Sequence, residues 1–572
     1  MIFHFKVVLN SEIFIFIFLE SILIFLESSV VLFGRLYPSS TPAFLFVVPP
    51  HKKSFVQAGA QISEFIQNSV FLSKFFNMIY GVDIFTINDI IAILSNPKKA
   101  QLNEEARAKI LKSQQNVQQI VASDRTVYGI NTGFGPLCDV KISEDETAQL
   151  QYNLIISHAV GVGKPIAKDL SKVMMIAKIH ALSRGFSGVS LEVIERLIIM
   201  VEKDIIPVVP EQGSVGASGD LAPLAHLVLP LLGLGKVWQN DEIKDSAKVL
   251  EEHHLKPLQL GPKEGLGLIN GTQFILAHAI LGLKKFEYLL DLADLTAAMS
   301  LEAYRGSASP FKKELHEIRP FDGSKKVAAR MRLFLEGSEN LHAHEFCDRV
   351  QDPYSMRCVP QVHGASRNAY EHLKNLAETE LNSVTDNPIV LSAKESISGG
   401  NFHGQLLALP LDYCTLAAAE LGNISDRRSY LLLEGKFGLP RLLTESSGLN
   451  SGFMIPQYTS AALVTENKTL CFPASADSIP TSLGQEDHVS MGSISGRKFN
   501  QVLGNLENIL AVELMFGAQG LEFRRPEKCS QYVENAYSLI RTKVEKLEDD
   551  RLIGEDILAI ADLIRNRKFT VN

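Results

Sequence analysis

Three small residues, Ala217-Ser218-Gly219, can cyclise on themselves. The Gly219 nitrogen has no bulky side chain beside it and can attack the Ala217 carbonyl carbon, closing a five-membered ring as one water leaves. Loss of a second water from Ser218 leaves an exocyclic methylene. The product is a 4-methylidene-imidazol-5-one (MIO), an electrophile made from protein alone. Gly213, Gly216 and Gly219 permit the tight backbone that such an attack requires. The plainer reading is a turn feeding a helix, with Asp220 as N-cap and Pro223 in the first turn. The two readings coexist, because a helix N-terminus beside the ring favours negative charge there.

Other segments carry residues of use to such an electrophile. Tyr128 lies in Val127-Tyr128-Gly129-Ile130-Asn131-Thr132-Gly133-Phe134-Gly135-Pro136, too glycine-rich to be helical, and a loop tyrosine can be aimed at a ligand or simply pack. Ser157-His158 stand near the end of an expected helix over 149–163 that stops at glycines. Asn270, between glycines, presents an amide or caps a turn. Arg357, in Gln351-Asp352-Pro353-Tyr354-Ser355-Met356-Arg357, is either a surface charge or a fork for a carboxylate. Phe402 sits in the irregular Ser398-Gly399-Gly400-Asn401-Phe402-His403-Gly404, and Glu486 in Gln485-Glu486-Asp487-His488-Val489-Ser490-Met491.

Taken in context, these segments resemble the aromatic amino acid ammonia-lyases. Gly213-Ser214-Val215-Gly216-Ala217-Ser218-Gly219-Asp220-Leu221-Ala222-Pro223-Leu224 is similar to the family's prosthetic-group signature, and the other motifs follow in family order from about residue 80 to 565. The resemblance implies a carbon–nitrogen lyase whose only cofactor is the MIO formed from Ala217, Ser218 and Gly219, with no diffusible cofactor and no metal. It implies that Tyr128 takes the β-proton, which requires neighbours that stabilise a phenolate, since a free phenol has a pKa of ~10. It implies that Asn270 holds the ring carbonyl or the substrate amine, and that Arg357 pairs with the substrate α-carboxylate. Gln351 and Tyr354 would stand near the ring and amino group, and Phe402 would shield the ring from water.

Selectivity follows the same resemblance. Phenylalanine lyases of the family show Phe-Leu, and tyrosine lyases His-Leu, where this chain has Ser157-His158, the pair of the histidine branch. Glu486 stands where phenylalanine lyases put an amide. A polar pocket pairs with an imidazole that Phe-Leu would strand. The implied reaction is non-oxidative deamination of L-histidine to trans-urocanate and ammonia. The residues leave open whether the amine or the ring meets the electrophile. The competing readings are a phenylalanine or tyrosine lyase or an aminomutase of the same family, and a catalytically silent helical scaffold. One departure is that the last block opens Ser482-Leu483-Gly484, where members often carry an Asn before Gln485.

The elements that must position these residues read as helices. Ile87, Ile90, Ile91 and Leu94 recur at helical spacing, and Asn103-Glu104-Glu105 opens a second, charged helix. Apolar stripes cover 285–304, 409–434 and the run Phe499, Val502, Leu503, Leu506, Ile509, Leu510, Leu514, while few segments alternate as strands. The stripes suit a mainly α bundle. The resemblance makes it a long central bundle of the fumarase/aspartase-like superfamily with a loop-rich N-terminal active-site region, assembled as a homotetramer with shared active sites.

Composition bounds the rest. The chain has 572 residues, 46% hydrophobic and 21% charged, with a net charge of -8 that argues against nucleic-acid binding. Cys138, Cys347, Cys358, Cys414, Cys471 and Cys529 form no Cys-x-x-Cys pair, which suits reduced thiols in the cytoplasm. His342-Ala343-His344-Glu345 and His253-His254 lack partners for a metal site. Residues 1–77 do not fit the enzyme. Ile13 to Phe33 is apolar but interrupted by Glu20 and Glu27, and only Lys6 precedes it, so no membrane span or signal peptide is expected, with a membrane anchor as the alternative. A start at Met78 leaves a chain of the size of bacterial-type members. The expected division is an extension over 1–77, an upstream-start artefact by this reading, and a lyase domain over 78–572, with the MIO-bearing part at about 78–280 and the bundle at about 281–572.

Overall fold

In the computed structural model the chain forms two compact units, Met1–Asn77 and Met78–Asn572. The structure describes residues 77–123, 125–133, 135, 142, 146–343 and 349–571, together with the backbone of residues 144–145 and of four strands between 14 and 48. In the first unit the strands β1 (Phe14–Phe18), β2 (Ser21–Leu26), β3 (Ser29–Gly34) and β4 (Phe44–Val48) make an antiparallel meander in chain order. Sequence reading gave this stretch no strands. The apolar run noted over 13–33 is thus shared among three strands, β1, β2 and β3.

The second unit is mainly helical. Helix α1 (Ile87–Ser95) starts where Thr86 accepts from the Asp89 amide and Asp89 returns a bond to the Thr86 amide, a reciprocal cap. Helix α2 (Glu104–Val121) starts at Asn103, whose side chain accepts from the Ala106 amide. Helix α3 (Glu144–His158) ends at His158, short of the glycines, because Val162–Pro165 (β5) leaves to pair antiparallel with Pro210–Gln212 (β6). Helices α4 (Lys168–Leu182), α5 (Leu221–Val228) and α6 (Glu264–Ile269) complete the part around residues 217–219.

The bundle is built on α7 (Gln273–Tyr304), α8 (Tyr354–Arg357, one turn), α9 (Val359–Leu381), α10 (Gln405–Leu433) and α11 (Gly492–Glu522). Every residue of the apolar stripe from Phe499 to Leu514 is buried, as its helical spacing predicts. Phe286 on α7 meets Phe499 on α11 edge to face, ring centroids 5.7 Å apart, and Tyr370 on α9 at 6.2 Å. A buried ion pair pins three helices together. Arg428 on α10 donates to Glu513 on α11, whose oxygens also accept from Ser300 on α7 and Ser425 on α10. Breaking such a pair by removing one partner costs about 3–5 kcal/mol, since the other charge stays buried. No described helix is long and apolar enough to cross a membrane.

Candidate active site

The Ala217-Ser218-Gly219 tripeptide lies between β6 and α5, where the chain must turn without side-chain bulk. Gly219 has φ +78°, and a Cβ built on it would fall 2.1 Å from the Gly271 carbonyl oxygen. Gly216 has φ +73°, and its Cβ would fall 2.2 Å from Ser490 Oγ. Only glycine meets both demands, left-handed backbone and close approach. Gly219 and Gly271 form a parallel bridge, so the segments 218–220 and 270–271 run side by side.

Asn270 caps the C-terminus of α6 and turns its side chain on this segment: Nδ2 donates to the Ser218 carbonyl at 2.9 Å. The Ser218 hydroxyl donates to Glu486 Oε1 at 2.7 Å. Glu486 in turn accepts on Oε2 from Thr481 Oγ1 at 3.0 Å and Ser482 Oγ at 2.7 Å. It is held there by a tight turn over 481–486, in which Ser482, Leu483 and Gly484 all take positive φ. Ser482, part of the departing Ser-Leu-Gly, therefore serves the carboxylate directly, and the left-handed Gly484 fits the turn.

His158 ends α3, with Nδ1 3.1 Å from Ser157 Oγ. Burial holds its imidazole below the ordinary histidine pKa, against the opposing pull of the Leu154 carbonyl and the Glu486 carboxylate. The Glu486 charge thus reaches His158 as well as Ser218. The next residues are tied to the same place: the Gly161 amide donates to His226 Nε2 of α5 at 3.0 Å.

Phe402 is half-buried in the turn before α10, and Gly404 behind it packs on Ser490 and Ile275. His403 Nε2 lies 3.2 Å from His488 Nδ1, joining this turn to the segment that carries Glu486. Tyr128 packs on the main core from its loop, with the Gly135 amide donating to its hydroxyl at 3.4 Å. Gly129 beside it rests against Leu266 of α6, four residues before Asn270. Residues 134 and 136–141 of that loop lie outside the described residues.

Gln351, Tyr354 and Arg357 form a separate group within one chain. Arg357 Nε donates to the Asp352 carbonyl at 3.0 Å, and its guanidinium lies 4.5 Å over the Tyr354 ring, which is 71% exposed. None of their described hydrogen bonds, ion pairs or ring contacts reaches residues 217–219, 270 or 486.

Sequence reading missed several groups. Asp220 occupies the N-cap position of α5 but makes no side-chain cap there, correcting the expected bond. Its carboxylate instead accepts from the Phe274 and Ile275 amides at the start of α7, both at 3.0 Å, and from Ser214 at 3.2 Å. Burial pushes its pKa up to about 7. Lys178 is wholly buried on α4 and donates to the carbonyls of Asn270 at 2.7 Å and Gly267 at 3.1 Å. Its signal was present, a single cation in Met174-Met175-Ile176-Ala177-Lys178-Ile179. Lys263 and Asp386 form a buried ion pair at 2.8 Å nearby.

Among the described residues no three or more His, Cys, Asp or Glu side chains gather as metal ligands. His253 contacts Gln239 at 2.6 Å, whereas His344 and Glu345 lie outside the described residues. Cys358, Cys414, Cys471 and Cys529 are free thiols, and Cys138 and Cys347 also lie outside.

A mainly helical bundle with a glycine-bounded Ala-Ser-Gly at the mouth of a polar cluster defines an enzyme of the lyase class. The family model described as aromatic amino acid lyase matches residues 85–542. A histidine ammonia-lyase from Symbiobacterium thermophilum is 46% identical over 483 residues, 84% of this chain and 95% of the relative. The crystal structure of histidine ammonia-lyase from Trypanosoma cruzi superposes with a TM-score of 0.79 at 40% identity, covering 86% of this chain and 94% of that one. Tyrosine aminomutase from Streptomyces globisporus superposes with a TM-score of 0.81 at 34% identity, covering 86% and 97%. The chain belongs to the aromatic amino acid lyase family.

Proposed function

We propose that the protein deaminates L-histidine to trans-urocanate and ammonia, using an MIO formed from Ala217, Ser218 and Gly219. The observation that carries this reading is the placement of Glu486 and His158. One carboxylate stands within hydrogen-bond distance of the Ser218 hydroxyl and also acts on the imidazole of the selectivity pair. The higher identity to histidine ammonia-lyase than to tyrosine aminomutase supports the same substrate.

The residues fit the prosthetic group. Gly219 has the backbone and the clearance, and Asn270 Nδ2 meets the oxygen that becomes the ring carbonyl. When formed, the MIO supplies an electrophilic methylene that draws electron density from the bound amino acid. The chain's own residues do the rest. Arg357 anchors the α-carboxylate by a bidentate pair. Ser157, His158 and Glu486 hold the imidazole and so fix the side chain. Tyr128 takes the β-proton as the Cα–N bond breaks and the Cα–Cβ double bond forms. Gln351 and Tyr354 flank the amine, Asn270 holds the ring carbonyl or that amine, and Phe402 excludes water.

The proposed assembly is a homotetramer with active sites shared between chains, in which a neighbouring copy brings Gln351, Tyr354 and Arg357 to the cluster. Leu406, Leu409, Tyr413 and Leu416 are all exposed along one side of α10, a surface that suits burial against another copy. The enzyme body begins near Met78, with 1–77 as an extension, and the compartment is the cytoplasm. A substrate panel tests the function: protein started at Met78 should convert histidine to the unsaturated acid and leave tyrosine and phenylalanine nearly untouched. Conversion of either of those in preference to histidine would overturn the reading.

A further inference from the structure

Asn270 is gripped at both ends. Its side-chain amide donates to the Ser218 carbonyl at 2.9 Å, while its own carbonyl accepts from Lys178 Nζ at 2.7 Å. Lys178 also takes the Gly267 carbonyl at 3.1 Å, so one ammonium closes the C-terminal end of α6, where the helix dipole is negative. The next residues are held from the other side. The Asp220 amide donates to the Gly271 carbonyl at 2.7 Å, and the Asp220 carboxylate accepts from Phe274 and Ile275. The corner 270–275 is thereby fixed between a buried cation and a buried carboxylate that also act on each other through space.

A buried lysine is expensive to keep, since an ammonium in an apolar interior loses its hydration. If α6 needed only a helix end, solvent or a glycine cap would have served. What the ammonium adds is a fixed position for Asn270 beside the tripeptide. We infer that Lys178 is a positioning residue for MIO formation, holding Asn270 so that its amide meets the Ser218 carbonyl while the ring closes. This rests on the MIO reading above.

The chemistry explains why that carbonyl matters. The Gly219 nitrogen bonds to the Ala217 carbonyl carbon, and that oxygen leaves as water with the protons of the Gly219 and Ser218 amides, leaving a carbon–nitrogen double bond. The Ser218 Cα proton and hydroxyl then leave as the second water. Removing the Cα proton places negative charge on the adjacent Ser218 carbonyl oxygen, and a fixed N–H donor there stabilises it. A donor that wanders does so less, and removal of one such donor elsewhere costs roughly 100-fold or more in rate.

The test follows the loss of two waters by intact mass on full-length protein, with folded content and melting temperature measured on the same samples. Wild type, Lys178→Met, Lys178→Gln, Lys178→Arg, Asn270→Ala and Lys178→Met/Asn270→Ala are compared, with Lys172→Met as a control on the same helix, where Lys172 pairs with Asp204. The expected result is that folded Met and Gln variants mature on the order of tenfold slower, that Arg recovers part of the rate, and that the double variant is no slower than Asn270→Ala alone. A folded variant without the ammonium that matures at the wild-type rate overturns the inference. So does failure of both neutral variants to fold, which would make Lys178 a folding residue. If wild type itself loses no water, the MIO reading falls and takes this inference with it; if wild type matures and the variants match it, only this inference falls.

Discussion

Replacing Glu486 by Gln isolates the charge that is proposed to read the imidazole. The structure sets out what changes. Oε2 accepts from Thr481 and Ser482, whose hydroxyls can turn round to accept from an amide instead, so the 481–486 turn keeps its bonds. Oε1 accepts from the Ser218 hydroxyl at 2.7 Å, and on the proposed maturation that hydroxyl leaves as water. On the proposed reading the freed oxygen then faces the substrate. A hydrogen bond to a charged group contributes about 1.5–3 kcal/mol, against about 1 for a neutral one. Each 1.4 kcal/mol is a factor of ten. Loss of the charge removes the difference, about 0.5–2 kcal/mol, and should therefore lower kcat/KM for histidine by roughly 2- to 30-fold, with the melting temperature almost unchanged. The assay is initial-rate formation of the unsaturated acid, normalised to the fraction of chain that has lost two waters. A fully matured Glu486→Gln enzyme with a kcat/KM for histidine equal to or above that of wild type would refute the reasoning.

Further expectations concern the tripeptide, the selectivity pair and acid stability. Ser218→Ala should retain the fold yet show neither the double water loss nor turnover, read by mass and by product formation. Gly219→Ala should fail to mature or fail to fold, because its Cβ would press on the Gly271 carbonyl at 2.1 Å; normal maturation would remove the packing argument. Ser157→Phe with His158→Leu should shift the phenylalanine-to-histidine ratio of kcat/KM upward by on the order of 100-fold, measured on both substrates. His180 is buried, accepts from the Gly81 amide and stacks on Phe85, and burial lowers its pKa to about 4. A neutral histidine in the fold and a protonated one in the unfolded chain mean that stability is intact above about pH 6.5 and falls between there and about pH 4. By pH 5 this residue alone should remove about 2 kcal/mol. Melting curves across that range should fall less steeply for His180→Gln than for wild type.

The parts legible from sequence are those whose physics is local. The spacing of Phe499, Val502, Leu503 and Leu506 dictates a buried helical face, and Thr86 with Asp89 dictates a helix start. The identities of Ser218, Asn270, Glu486 and His158 stood out as motifs, and the fold gathers these four about one place. What escaped was set by distant pairing. Asp220 looked like the cap of its own helix, yet it caps the start of another that lies fifty residues on. Lys178 has no local partner at all; its acceptors are carbonyls about ninety residues away. The strands between 14 and 48 were hidden because an apolar run reads equally as a buried strand or a helix. Gln351, Tyr354 and Arg357 read as site residues, but one chain alone keeps them on their own exposed turn.

The Ser218–Glu486 bond joins residues 268 positions apart, and this separation has a consequence for the life of the nascent chain. While the ribosome is still making the second half, the tripeptide is an ordinary peptide, because the carboxylate and the 481–486 turn that hold it do not yet exist. A reactive alkene that formed early would meet every thiol and amine in the cell before it was enclosed. If the proposed ring closes only once the 481–486 segment is packed beside the tripeptide, completed folding becomes the trigger for that reactivity, and truncated copies stay chemically harmless.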